Sequence, residues 1–248
     1  MGFSKSLNTF LNQHNSKMKL KNGDFILLDY TGKIKDSKQV FDTTSEQTAK
    51  DSGVHQKGAK YKPAMVCVGE GDVLKGLDED LVDKEVGKSY SVEIPPEKGF
   101  GKKDAKLMKI VNTNMFLKNN INPVPGLQVN VDNLIGTIKT VSGGRTIIDF
   151  NHPLAGKNLV YEFNILKIVV DDEEKIKGML SSYLAIDNPD VKIEAGVANV
   201  NSEVPEMLKK QLEEKIKNLI PAIKKVDYKK KEEKKEEKPK EEKKEQKS

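Results

Sequence analysis

The stretch from Phe41 to Phe100 places the tightest limits on what this chain can become. Leu74, Leu77, Leu81 and Val82 fall at i, i+3, i+7 and i+8, the stripe of a short amphipathic helix. That helix is set among strand-like runs: Pro63-Ala64-Met65-Val66-Cys67-Val68-Gly69 before it and Ser89-Tyr90-Ser91-Val92-Glu93-Ile94 after it. Pro95-Pro96, unable to donate to a ladder, stops the second run. Aromatic side chains, Phe41 and Phe100, stand at the two ends, and one acid, Asp42, follows the first. The stretch reads as the lining of an apolar pocket, with one acid and a few hydrogen-bonding groups at its rim.

Strand chemistry extends to both sides. Asp24 to Ile34 is rich in β-formers, and Asn158 to Val170 reads as a last long strand. The polar, aperiodic stretch Thr43–Lys62 reads as a surface loop or a bulge in the sheet. Between Lys102 and Ile147 a separate small β unit is predicted, ending in a hairpin from Leu134 to Val141, Gly143-Gly144, and Arg145 to Phe150. Beyond Asp171 the pattern is αβα: a helix from Asp171 to Leu184 with acids in its first turn, a strand from Val191 to Val200, and a helix from Pro205 to Leu219. Residues 1–17 read as a floppy or lightly helical extension, despite a formal match of Met1-Gly2 and Ser6 to a myristoylation signal.

Charge is a poor guide to partners here. The run from Lys229 to Ser248 holds ten Lys and seven Glu, so this solvated tail carries three of the net five positive charges. The remainder is too nearly balanced to argue for nucleic acid. No apolar run approaches the roughly 18 residues of a membrane span, and the N-terminus lacks a secretory core. A lone cysteine, Cys67, fits a reducing compartment, so a cytoplasmic location without membrane contact is expected. Three scattered His and one Cys supply no metal site, and Gly69-Glu70-Gly71 lacks the Lys-Ser/Thr of a phosphate loop. No cofactor is expected.

Asp29-Tyr30-Thr31-Gly32, Phe41-Asp42, Val68-Gly69-Glu70-Gly71 through Leu77, Phe100-Gly101 and Asn151-His152-Pro153-Leu154-Ala155-Gly156-Lys157 together carry a family likeness. In order and spacing, the chain resembles the FKBP-type peptidyl-prolyl cis-trans isomerases (rotamases), specifically the SlyD-like class and its archaeal long form, over about residues 19–170. The resemblance implies an α+β fold in which a twisted antiparallel sheet wraps around the short helix. A small β domain is inserted in the flap over the pocket, and an αβα domain follows at the C-terminus. The implied division is 18–101 with 147–170 for the isomerase domain, 102–146 for the insert and 171–228 for the C-terminal domain.

What the resemblance implies for the site follows position by position. Tyr30, Phe41, Val73, Leu74, Phe100 and Tyr161 would surround a proline ring, with Leu77 as the floor, and His152 and Leu154 would edge the pocket. Asp42 would lie beside the twisting amide, where it can orient Tyr30 or bias the carbonyl, and the Leu74 N–H would bond a substrate carbonyl. Tyr30, Asp42 and Phe100 are the expected catalytic set. Three departures, Leu77 for Trp, Phe100 for Tyr and Ala64 for a large aromatic, imply altered activity and weak binding of the family's macrolide inhibitors.

The chemistry asks for little else. An X–Pro bond isomerises across a barrier of about 18–20 kcal/mol that is mainly lost amide resonance. The twisted amide has less charge separation than the planar one, so a dry pocket prefers it, and that preference raises the rate. The insert holds more apolar residues than so small a unit can hide. Ile110, Val111, Met115, Phe116, Leu134, Ile135 and Ile138, with Leu117, are split between its own core and an expected chaperone surface for unfolded chains. Partners are therefore unfolded polypeptides and proline-containing peptides. The rival readings are a holdase with little catalytic power, and docking on an assembly such as the ribosome through the C-terminal domain and tail.

Overall fold

The computed structural model describes residues 18–228. The expectations for residues 1–17 and 229–248 lie outside the described residues. Two compact units meet at the Val169–Val170 junction, and each is taken by itself.

The first unit is built on β1 (Phe25–Ile34), which pairs antiparallel with β9 (Leu159–Val169) along its whole length. Along its other edge, β1 pairs with β2 (Val40–Thr43) over Thr31–Lys33 and with β3 (Ala64–Cys67) over Phe25–Leu28. β4 (Ser89–Ile94) closes the other side against β9. Burial alternates along β9, where Leu159, Tyr161, Phe163 and Ile165 face the core and Glu162 faces out, as a sheet with one wet face requires.

The polar stretch after β2 contains a short helix, α1 (Glu46–Asp51), where a loop or bulge is expected from the sequence. Ser45 caps it through Thr48 N–H, and Ala49 is its one buried residue, so no apolar stripe announces it. The predicted amphipathic helix is α2 (Lys75–Leu81). It buries Leu77 and Leu81 among Ile26, Leu28, Ile94, Leu159 and Ile165. Gly76 lets the helix lie this close to β4, since a Cβ there would fall 2.6 Å from Ile94 Cγ2.

A four-stranded antiparallel sheet follows, in the order β5 (Met108–Asn112), β8 (Arg145–Asp149), β7 (Leu134–Ser142), β6 (Gln128–Val131). With α3 (Thr113–Lys118) it encloses Phe116, Val129, Ile138 and Ile148. Phe116 and Ile138 are therefore core, not chaperone surface. Ile138 pairs with Ile148 on the covered face of the sheet, and Phe116 is the buried residue of α3. β8 also carries this sheet to Asp149, past the expected boundary after Thr146, because the apolar pair Ile147-Ile148 keeps pairing with β7 and β5.

The second unit holds α4 (Asp172–Leu184), whose first turn is capped by the Asp171 carboxylate accepting Glu174 N–H at 2.7 Å. β10 (Val191–Glu194) and β11 (Val197–Val200) form a hairpin. The single strand expected from Val191 to Val200 is thus broken at Ala195-Gly196. α5 (Glu206–Leu219) then returns the chain to β12 (Lys225–Tyr228), parallel to β11. Such a parallel return needs a crossover of about a dozen residues, which α5 provides. The β layer is therefore three strands, packed on Ile176, Met179, Leu180, Leu212 and Ile216. No helix among the described residues is long and apolar enough to cross a membrane.

Candidate active site

A register shift positions the first site residue. β1 residues Thr31, Gly32 and Lys33 pair with Thr43, Asp42 and Val40, so Phe41 is the extra residue of a bulge. Bulges re-aim side chains at the cost of one ladder step. Here the phenyl ring is directed edge-on against Tyr161, at 5.8 Å between centroids, and against Phe100, at 6.0 Å. Tyr161 leans on Tyr30 at 5.6 Å, and Phe100 stacks on His152 at 4.4 Å and 7°. Five rings from five segments thus form one continuous wall. Offset and edge-on contacts of this kind add about 0.5–1.5 kcal/mol each beyond burial.

Gly32 makes the wall possible. It pairs with Asp42 on one side and Tyr161 on the other, and a Cβ on it would fall 2.8 Å from Phe41 Cζ and 3.0 Å from Tyr161 Cζ. The sequence offered Gly32 as part of a motif with no role attached. The close approach of the two rings gives it one.

Asp42 is exposed, and its carboxylate accepts a hydrogen bond from the Tyr30 hydroxyl. Burial raises the Tyr30 pKa well above that of a free tyrosine, and the charge and hydrogen bond of Asp42 raise it further. Tyr161 is pushed up mainly by burial, then by the same carboxylate and by Tyr30. Both phenols are therefore held protonated beyond the range of a free tyrosine. His152 is exposed, and its Nδ1 accepts the Leu154 N–H at 3.2 Å. In the neutral ring this leaves the proton on Nε2.

Val73, Leu74 and Leu154 are half-buried against the same core as the rings. Leu74 is the N-cap residue of α2, where its carbonyl accepts from Leu77 and Asp78 N–H. Leu77 is 0 % exposed and belongs to the core itself. Leu77→Ala is accordingly expected to cost about 2–5 kcal/mol in urea unfolding, the range for emptying a packed site; a loss under about 1 kcal/mol would place Leu77 at a wet surface. Asp78, given no role by the sequence, is buried and accepts Gly69 N–H at 2.8 Å and Gly71 N–H at 2.9 Å. It pins the loop that leads into Val73 and Leu74. Its signal was a Gly-x-Gly turn followed by an acid on the next helix.

On the four-stranded sheet, Ile110 and Ile135 are 66 % and 70 % exposed. Met115, Leu117 and Leu134 are exposed as well, while Val111 packs on the insert core. Ladder partners share a face. Ile110 opposes Ile147, Met108 opposes Asp149, and Asp149 opposes Thr137, two residues from Ile135. Met108, Ile110, Ile135 and Ile147 therefore lie on the face away from Ile138 and Ile148. The sequence reading had not included Met108 or Ile147.

Comparison with known proteins agrees with this architecture. Residues 16–117 match the family described as FKBP-type peptidyl-prolyl cis-trans isomerase, and residues 109–154 match the one described as FKBP26, IF domain. The chain is 32% identical over 155 residues to a short-type peptidyl-prolyl cis-trans isomerase of Methanocaldococcus jannaschii, covering 62% of this chain and 98% of that protein. It is 32% identical over 111 residues to a probable FKBP-type 16 kDa isomerase of Pseudomonas fluorescens, covering 43% of this chain and 73% of the relative. Identity to the SlyD isomerase of Helicobacter pylori is 28% over 130 residues, 50% of this chain and 69% of that protein. With the short-type isomerase matched over nearly its whole length, the chain belongs to the FKBP-type peptidyl-prolyl cis-trans isomerase family.

Proposed function

We propose that this protein accelerates X–Pro isomerisation in unfolded polypeptides, which are first held by the four-stranded insert sheet. The observation that carries the reading is the ring wall Tyr30–Tyr161–Phe41–Phe100–His152 with a carboxylate at one end. Proline is the one residue whose side chain closes on the amide nitrogen, so seating its ring on an apolar wall also seats the bond to be twisted. The wall excludes water and so favours the less polar, twisted amide over the planar ground state. Val73, Leu74 and Leu154 would complete the seat, Leu77 would support it from the core, and the Leu74 N–H would take a substrate carbonyl. Asp42 would hold the Tyr30 hydroxyl in place as a fixed dipole beside the reacting bond.

The division of labour follows the same lines. The five-stranded sheet with α2 is assigned to catalysis, and the four-stranded sheet to chaperone capture through Ile110, Ile135 and their neighbours. A loose grip on the chain raises the local concentration of its prolines at the wall.

The test is refolding limited by a trans-to-cis proline step. Acceleration by sub-stoichiometric protein is expected, and Asp42→Ala should lower kcat/KM on a proline tetrapeptide about tenfold, the loss of about 1.4 kcal/mol of transition-state binding. Protection from aggregation only at near-equal amounts, with no acceleration, would leave a holdase and overturn the reading.

A further inference from the structure

Two segments, residues 101–107 and 149–156, join the four-stranded sheet to the rest of its unit, and the same stretch of chain carries Phe100, His152 and Leu154. These segments are tied together at several levels. Gly156 N–H donates to Gly101 O at 2.8 Å and Phe150 N–H donates to Leu107 O at 2.9 Å. Next to the second tie, at the end of β8, sits Asp149, only 5 % exposed. Its Oδ2 accepts from Lys103 Nζ at 2.9 Å and faces Lys139 Nζ at 3.9 Å. Its Oδ1 accepts from Asn151 N at 2.9 Å and from Asn151 Nδ2 at 2.8 Å. The Asn151 amide is held in turn by Asp104, accepting its N–H at 2.8 Å and donating to its carbonyl at 3.1 Å.

A connection that only had to let the insert swing would leave its polar groups to water. This one buries a carboxylate and fills both of its oxygens, one from Lys103 of the opposite connecting segment and one from Asn151 of its own. Burial alone would raise the Asp149 pKa, but the bonds from Lys103 and Asn151, with the Lys103 charge, hold it down at about 2. A carboxyl depressed in this way adds stability that is complete above the ordinary carboxylate pKa and is lost as pH falls through about 2. The clasp is therefore closed at every pH where the protein would work.

We propose that Asp149 is a positioning residue. Through Lys103 and Asn151 it fixes the insert sheet relative to the ring wall, so that a chain held on the insert meets the wall with little orientational freedom left to lose. Holding reactant and site in a defined geometry is worth rate only where both are held. The clasp should therefore matter for long unfolded chains, which touch both surfaces, and not for tetrapeptides, which reach only the wall. This inference rests on the capture reading given above.

Asp149→Asn and Lys103→Gln are made in the full chain, and both substrates are measured. Turnover of a proline-limited unfolded protein should fall about tenfold for Asp149→Asn, chiefly as a raised KM, with tetrapeptide kcat/KM kept within about twofold. Lys103→Gln, at a half-exposed side chain, should shift the same ratio in the same direction by less, and carries the test if Asp149→Asn does not fold. Spin labels at Asp36 and Lys118 should give a narrow distance distribution in the parent and a broader one in Asp149→Asn. Equal losses on peptide and protein, or an unchanged ratio with an unchanged distribution, would overturn the assignment. Ile110→Lys with Ile135→Lys separates the two readings. If that pair lowers protein turnover and the clasp variants do not, only the clasp fails. If that pair also has no effect, the capture reading fails with it.

Discussion

Gly32→Val is expected to lower kcat/KM on a proline tetrapeptide by about 10–100-fold, a loss of about 1.4–2.7 kcal/mol in transition-state binding. The first atom added would already lie 2.8 Å from Phe41 Cζ and 3.0 Å from Tyr161 Cζ. Neither ring can yield freely. Phe41 is braced edge-on by both Phe100 and Tyr161, and Tyr161 is packed in the core against Tyr30. The bulge at Phe41 is the softest point, so the strain should be released by moving the phenyl ring out of the wall. Overpacking of this sort costs about 1–3 kcal/mol of stability, which leaves a well-folded population at moderate temperature. Circular dichroism and the urea midpoint establish that population before rates are compared. Wild-type kcat/KM in a folded Gly32→Val protein would mean that the Phe41–Tyr161 contact is not part of the substrate seat.

Reading Gly32 in this way needed the register, and register is the part of this fold that the sequence conceals. The stripe Leu74, Leu77, Leu81 told of α2 because a helix's buried face repeats along its own chain, and the strands showed themselves in the same local way. Phe41 is different. Its direction depends on which β1 residue faces Val40 and which faces Asp42, a matter of two strands and not of one. α1 was invisible for a simpler reason: with Ala49 alone buried, its six residues show no periodicity at all. The site residues nonetheless converge, and that convergence rests on the family resemblance more than on pattern. His152 and Leu154 come from across the insert, and nothing local connects them to Phe100.

The insert residues show the same limit. Ile135 and Ile138 lie on a single strand at odd separation, so a period of two already puts them on opposite faces, one for the core and one for the surface. Which of the two faces is covered could not be known, since Phe116 on α3 decides it by packing on the Ile138 side. The shift at Lys139, skipped between Ile138 and Thr140, complicates the reading further. It also leaves Lys139 Nζ within 3.9 Å of Asp149, at the edge of the clasp.

The uncovered face carries the second large prediction. Ile110→Lys combined with Ile135→Lys should lower the catalysed refolding of a proline-limited protein by at least about tenfold while leaving tetrapeptide turnover within about twofold. Each side chain is more than three-fifths exposed, so replacing it should change stability by no more than about 0.5 kcal/mol, and the fold is not in question. In a captured state each isoleucine would be covered by client chain, worth about 1.5–3 kcal/mol when burial is complete. Partial coverage of two such side chains still exceeds the 1.4 kcal/mol that sets a factor of ten in affinity. The added positive charges work in the same direction for any basic client and against it for an acidic one, so the assay uses a client of near-zero net charge. Losses on protein and peptide alike would point to a damaged ring wall instead of a lost surface. Full retention on both would mean that the exposed isoleucines play no part in presenting prolines to that wall.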